Sequence, residues 1–242
     1  MTAVSRWPTT RTVATAVSGI GATVVVLAVV GIAARGPRPS RLVDGALRAW
    51  ARCWLRPAGA RLEVAGRENL DARVAYLVVS NHQSNLDPIA HLAALPIPLR
   101  FLAMRGVFAL PAVGAALRRL GMIEVDRSDP DGRAIADGTA RALAAGASVL
   151  VYPEGGTSGD GTVGPFRSGA FRLAIANRVP IVPVATYGTR DVWPTDRNVI
   201  SAGVVRIVVG APIATSGMTD ADVIGLRDRV RAWVAAQDSL RD

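Results

Sequence analysis

Val74-Ala75-Tyr76-Leu77-Val78-Val79-Ser80-Asn81-His82-Gln83-Ser84-Asn85-Leu86-Asp87-Pro88 passes from an apolar run into a polar turn and then into a helix start. The run Val74 to Val79 reads as a buried strand, because β-branched and aromatic side chains continue on both faces of the pleat. Ser84-Asn85 followed by Asp87-Pro88 signals a helix start: short polar side chains satisfy free N–H groups, and proline suits the first turn. The turn between strand and helix holds one of only two histidines, His82, five positions before Asp87. A carboxylate about one helical turn away can fix the imidazole tautomer and stabilise the imidazolium, which is the make-up of a general base. Asp87 before Pro88 also suits a plain helix N-cap, so the pair alone leaves two readings open.

Strand-then-helix recurs through the rest of the chain. Strands are expected at Arg61–Val64, Val74–Val79, Met122–Val125, Ser148–Tyr152, Ile181–Ala185 and Val204–Val209, and helices near 85–95, 105–119, 131–145, 167–177 and 219–237. The last opens with Thr219 and Asp222 as a capping box and carries Val223, Leu226, Val230 and Trp233 on one face. This alternation predicts an α/β fold with a largely parallel, mixed sheet flanked by helices. Ligands of such sheets bind at the carboxyl ends of the strands. His82, Arg127 and Glu154 each follow a strand directly, so one pocket is expected to gather them.

Half of the 242 residues are hydrophobic, and the mean hydropathy of +0.29 is high for a freely soluble protein. Part of the excess is local: Thr12 to Ala34 carries no charge and is rich in Val, Ala, Ile and Gly. As a helix at about 1.5 Å per residue this segment reaches across a hydrocarbon core of about 30 Å, so a membrane anchor is expected at 12–34 within an N-terminal segment 1–36. A secretory signal is the alternative, with Arg6 and Arg11 before the apolar core and Gly31-Ile32-Ala33 to end it.

The formal charge of +9 invites a nucleic-acid reading, but its distribution argues against one. Residues 1–61 hold nine arginines and one acid, Asp44, whereas residues 62–242 hold 19 arginines and 18 acids. The basicity is therefore juxtamembrane. Arg35, Arg38, Arg41, Arg48, Arg52 and Arg56 follow the anchor, which places the following domain on the cytoplasmic face of the cell (inner) membrane by the positive-inside rule. The same side chains would attract anionic headgroups of membrane lipids. Within 37–60, Val43, Leu47, Trp50 and Trp54 recur at helical spacing with arginines interleaved, as in an amphipathic interfacial helix; periodicity leaves open whether membrane or protein covers that face. Residues 61–242 are expected to form the catalytic domain. Cys53 is the only cysteine, which excludes an intramolecular disulfide and suits a reducing compartment.

Gly159-Asp160-Gly161-Thr162-Val163-Gly164 fits a dinucleotide-binding pattern, but Pro165 interrupts the helix that the pattern requires, and a glycine-rich loop is the better reading. Asp126, Asp129 and Asp131-Gly132 lack the alternation and closing glutamate of a calcium loop. No Gly-x-Ser-x-Gly is present to suggest a serine hydrolase. His91, inside a helix among Ala and Leu, reads as structural.

Four ordered blocks resemble the glycerolipid acyltransferases of the PlsC type. They are Asn81-His82 to Asp87; Gly121-Met122-Ile123-Glu124-Val125-Asp126-Arg127; Tyr152-Pro153-Glu154-Gly155; and Val179-Pro180-Ile181-Val182-Pro183-Val184. Phe166-Arg167-Ser168-Gly169-Ala170 matches a further recurring stretch. The resemblance implies a membrane-attached enzyme without metal or other cofactor, which uses acyl-CoA or acyl-carrier protein as co-substrate and a lysophospholipid as acceptor. It makes His82 the base and Asp87 its partner. It makes Arg127 a bidentate phosphate contact, unless Arg127 only pairs with Asp126 or Asp129. Glu154 and Gly155 would shape the turn and bind the acceptor or orient Arg127, a capped loop being the alternative for Glu154. Arg105 and Arg167 would add phosphate contacts or be merely solvated. One departure stands out: where most relatives read Glu-Gly-Thr-Arg-Ser, this chain reads Glu154-Gly155-Gly156-Thr157-Ser158. The phosphate-contacting arginine is thus Thr157, as in relatives that acylate lyso-ornithine lipid. Lysophosphatidate remains the leading acceptor, a lysolipid without a phosphomonoester the second, and a non-catalytic lipid-binding protein the rival of another class.

Overall fold

A computed structural model describes residues 9–33, 40–126, 132–197 and 199–237. Among them, seven strands build one mixed sheet: β1 (Ala60–Ala65), β2 (Leu77–Ser80), β3 (Leu99–Met104), β4 (Ile123–Val125), β5 (Ser148–Val151), β6 (Ile181–Tyr187) and β7 (Gly203–Val209). Their order is β1-β7-β6-β2-β5-β3-β4. Every neighbouring pair is parallel except β6 and β7, so β1 and β7 run against the other five. The helices are α1 (Thr10–Ala33), α2 (Arg41–Ala58), α3 (Asp87–Ala94), α4 (Arg105–Phe108), α5 (Pro111–Leu120), α6 (Arg133–Ala144), α7 (Gly169–Asn177), α8 (Thr189–Val192) and α9 (Val223–Ala236).

The central strand β2 shows why the sheet is covered on both faces. Leu77 and Val79 join a core with Ala142 and Leu143 of α6, Phe171 of α7 and Val230 of α9. Val78 points the other way, into a core with Leu55 of α2 and Ala90 of α3. All three are fully buried, and burying each side chain contributes about 1.5–3 kcal/mol. The strand begins at Leu77 rather than Val74, because the Asp71 carboxylate accepts the Arg73 N–H and the Val74 N–H bonds back to Asp71 O, closing a turn.

Two elements differ from the sequence reading. β3 was not expected, since Arg100 interrupts its apolar pattern; in the fold Arg100 is buried and its Nη1 donates to Asp44 Oδ1 of α2 at 2.9 Å. The helix expected over 105–119 is two helices, broken at Ala109-Leu110 before Pro111, which can start a helix but cannot continue one. The capping box at Thr219 and Asp222 is present, on a short 3-10 turn that leads into α9.

The apolar helix α1 lies along the domain and packs antiparallel against α2. Its start is held by the Ile200 N–H donating to Thr12 Oγ1, and its end by Arg119 Nη1 donating to Gly31 O at 2.7 Å. Between them Ser18 Oγ donates to Cys53 O, and Trp50 Nε1 to Thr23 Oγ1. Trp54 rests on Gly19, where any side chain would collide with the indole, and stacks on Trp193. Val43, Leu47, Ala51 and Leu55 of α2 are buried, so its apolar face is covered by protein, while Arg52 and Arg56 are exposed. The opposite side of α1 leaves Val13, Val17, Ile20 and Val24 at least half exposed.

Candidate active site

The parallel strands β2, β3, β4, β5 and β6 end at the same edge of the sheet, and the residues that follow them form the site. His82 leaves β2 in the turn to α3. Its Nδ1 lies 2.7 Å from Asp87 Oδ2. The same oxygen accepts the backbone N–H groups of Gln83 at 2.7 Å and Ser84 at 2.9 Å. Asp87 is fully buried, and its carboxylate turns back toward the strand instead of capping α3, whose N-cap, Leu86, makes no side-chain bond. The N-cap reading of Asp87 therefore gives way to the paired one. A carboxylate that already takes two N–H bonds is an acceptor, so Nδ1 carries the imidazole proton and Nε2 keeps a lone pair. The His82 side chain retains 17% of its surface, enough for that nitrogen to meet a substrate.

The ring is fixed from beneath as well. Tyr152, at the end of β5, stacks on His82 with centroids 4.1 Å apart and planes 14° from parallel. His91 Nδ1 donates to Asp87 O at 2.7 Å, Tyr152 Oη lies 3.1 Å from the same nitrogen, and Nε2 accepts from Thr186 Oγ1 at 3.0 Å. Burial holds the His91 imidazole down to about 4, against the pull of the Asp87 charge, so His91 is neutral. Burial also pushes the Tyr152 phenol well above its usual range. Asn81 completes the support: its side-chain amide donates to Thr186 O and accepts the Thr186 N–H, which ties the end of β2 to β6. His91 reads as structural from its apolar neighbours, whereas no role was assigned to Tyr152; the place of Tyr152 before Pro153-Glu154, at a strand end, is the signal that marks it.

Glu154 bridges two segments. Oε1 accepts the His82 N–H at 2.8 Å and Oε2 accepts the Gly164 N–H at 3.1 Å. Burial raises its carboxyl above the usual value, and the two N–H bonds oppose that rise. Further bonds close the glycine-rich loop over the site: Ser158 N–H to His82 O, Gln83 Nε2 to Gly161 O, and Arg231 to the carbonyls of Val163 and Gly164. Gly155 has φ of +77°, and a Cβ there would lie 2.8 Å from the Arg167 guanidinium carbon. Glycine thus permits both the turn and the close approach of Arg167.

Arg167 is exposed and lies over Gly155, with no acidic partner to its guanidinium among the described residues. Arg105 is instead tied to Asp126, Nη1 to Oδ2 at 2.7 Å. Arg127 falls outside the described residues. Thr157 is exposed in the loop after Gly155. The structure therefore joins His82, Asp87, Glu154, Gly155 and Arg167 in one constellation, with Arg105 beside it in an ion pair.

A protein-family model described as Acyltransferase matches residues 61–187, just over half of the chain. A chloroplastic 1-acyl-sn-glycerol-3-phosphate acyltransferase of Arabidopsis thaliana is 34% identical over 208 residues, which are 81% of this chain and 57% of that protein. The human 1-acyl-sn-glycerol-3-phosphate acyltransferase alpha is 34% identical over 72% of this chain and 62% of its own length. That of Pseudomonas aeruginosa is 31% identical over 74% of this chain and 69% of its own. The chain spans about half to two-thirds of the length of these relatives. The crystal structure of the 1-acyl-sn-glycerophosphate acyltransferase PlsC from Thermotoga maritima has the same fold, with a TM-score of 0.77 at 22% identity over 93% of this chain and 92% of that one. With the matched segment running from β1 through β6, the chain belongs to the acyltransferase family.

Proposed function

We propose that this protein transfers a fatty acyl group from a thioester donor, acyl-CoA or acyl-carrier protein, to the free hydroxyl of a lysophospholipid. The observation that carries this reading is the His82–Asp87 pair, with Nδ1 held by a buried carboxylate and Nε2 free to accept a proton. A neutral hydroxyl is a poor nucleophile toward a thioester unless its proton leaves as the new bond forms, and such general-base help is worth about 10²–10⁴-fold. In the proposed step the acceptor oxygen attacks the acyl carbonyl while His82 Nε2 takes its proton. Asp87 stabilises the imidazolium, the carbon–sulfur bond breaks, and the departing thiolate receives that proton. No nucleophile from the protein is consumed.

Lysophosphatidate is the acceptor this reading favours, since relatives of up to 37% identity are named 1-acyl-sn-glycerol-3-phosphate acyltransferases. Arg167, without an acidic partner among the described residues and lying over the glycine that follows Glu154, supplies the cation that Thr157 does not. Arg127 would be a second phosphate contact. An acceptor lacking a phosphomonoester, such as lyso-ornithine lipid, is the second reading, and Thr157 favours it.

The exposed stripe of α1 supports membrane attachment. Because both ends of α1 are fastened to the domain, the stripe would enter one leaflet alongside the domain, with the arginines of 35–56 meeting anionic headgroups at the cytoplasmic face of the cell membrane. A panel assay tests the acceptor: labelled acyl-CoA and acyl-carrier protein are offered with lysophosphatidate, lyso-ornithine lipid and neutral lysolipids. Phosphatidate formation supports the main reading, turnover of lyso-ornithine lipid alone supports the second, and transfer to none contradicts both.

A further inference from the structure

Against Gln83, the residue after His82, and toward β6 and β7 lies a cavity of about 720 Å³ whose lining also includes Arg190, Arg197 and Arg206. Such a volume falls within the roughly 300–1,000 Å³ range of sites that take extended organic ligands. Arg190, half-buried on α8, has no acidic or hydrogen-bonding partner for its guanidinium among the described residues. Arg197 is only loosely paired, 3.8 Å from Asp196 on an exposed surface. Arg206 of β7 has its Nε 3.2 Å from Glu63. Two acids also line the cavity, Asp160 and Asp191. Asp160 is engaged within its own loop, its Oδ1 accepting from Ser158 Oγ, Thr162 N–H and Thr162 Oγ1. Three arginines and two acids thus line the cavity, and Arg190 is the cation left without a partner among the described residues.

We propose that this cavity binds the phosphorylated pantetheine arm of the acyl donor; the proposal rests on the acyl-transfer reading above. The argument is one of placement. His82 follows β2, which lies between β6 and β5 in the sheet. Arg190 follows β6 on one side of it, whereas Arg167 overlies the turn after β5 on the other. Cations thus flank the base on both sides. A transfer between two phosphorylated molecules must bring hydroxyl and thioester together at Nε2 while their phosphates stay apart, since like charges at close range in a partly desolvated site repel. Arg167 takes the acceptor side, and the arginine-lined cavity takes the donor. A single headgroup would leave most of 720 Å³ empty, whereas a phosphopantetheine arm is long enough to cross it.

The test uses the full chain in detergent, with Arg190→Gln, Arg190→Lys and the exposed Arg197→Gln. Each glutamine variant is expected to raise the donor KM about tenfold, the loss of roughly one charge-assisted hydrogen bond, with acceptor KM and saturated kcat within about twofold of wild type. Arg190→Lys should recover part of the donor KM, which a merely structural role would not allow. An effect with acyl-CoA alone or acyl-carrier protein alone identifies the carrier and supports the site. Unchanged donor KM with both donors, or a raised acceptor KM instead, overturns it. Calorimetric titration with coenzyme A separates this proposal from the transfer reading. Coenzyme A binding that weakens about tenfold in Arg190→Gln sustains the cavity even if no acyl transfer is seen. Undiminished binding in the variant, or neither coenzyme A binding nor a donor KM effect, rules the site out.

Discussion

At the scale of single residues, the site depends on one carboxylate oxygen. Oδ2 of Asp87 takes the His82 ring and two backbone N–H groups, so tautomer and ring position are set together. Asp87→Asn keeps the volume but loses the charge and can present an amide N–H to Nδ1; kcat should fall about 10²-fold or more, with acceptor KM nearly unchanged. An unchanged kcat would remove Asp87 from the chemistry. Gly155→Ala should cost about 1–2 kcal/mol for a side chain at positive φ and displace Arg167, raising the acceptor KM while donor KM holds. His91 makes the protein sensitive to acid. Its folded-state value of about 4 lies below the ordinary 6.5, so the stability it contributes is complete above pH 6.5 and is lost as pH falls from 6.5 to 4, by about 3 kcal/mol. Urea midpoints should fall less steeply over that range in His91→Gln than in wild type; parallel curves would contradict the assignment. The His82–Asp87 spacing was legible because both residues lie within one turn of chain. The stacking of Tyr152 on His82 and the bonds of His91 to Tyr152 and Thr186 were not, since they join segments remote in sequence.

At the scale of elements, alternation of apolar runs with helical patterns sufficed wherever the core was built from apolar side chains alone. It failed at β3, where Arg100 is a core residue. The buried Arg100–Asp44 pair joins the sheet to α2, and Arg100 Nε has no partner among the described residues. Arg100→Met alone should leave Asp44 buried and unpaired, lowering stability by about 3–5 kcal/mol; Arg100→Met with Asp44→Leu should recover most of that loss. Chemical denaturation of the two variants decides it, and equal losses in both would show that the pair does not act as a unit. The break before Pro111 was signalled by the proline itself. The sequence also left the covering of α2 open, because periodicity gives the width of an apolar face but not its neighbour. That neighbour is α1, through Gly19–Trp54 and Thr23–Trp50.

At the scale of the whole molecule, the proposed membrane attachment rests on an apolar helix and a basic flank beside a nearly neutral domain. The length of α1 was readable from its uncharged run. Its course along the domain was not, because the contacts that hold it, Thr12 to Ile200 and Gly31 to Arg119, are remote in sequence. Val17→Asp with Val24→Asp on the outward stripe should weaken binding to anionic vesicles at least tenfold while the melting temperature holds, in flotation assays run beside thermal melts. Gly19→Leu, on the inward side, should instead lower the melting temperature by forcing Trp54 aside. The most direct measurement is single-turnover transfer of a labelled acyl group from acyl-CoA or acyl-carrier protein to lysophosphatidate by wild type and His82→Ala, with equal folding verified. Phosphatidate formed by wild type, and formed at least 10²-fold more slowly by the variant, is the predicted result. Transfer that survives His82→Ala at the wild-type rate would contradict the assignment of His82 as the base.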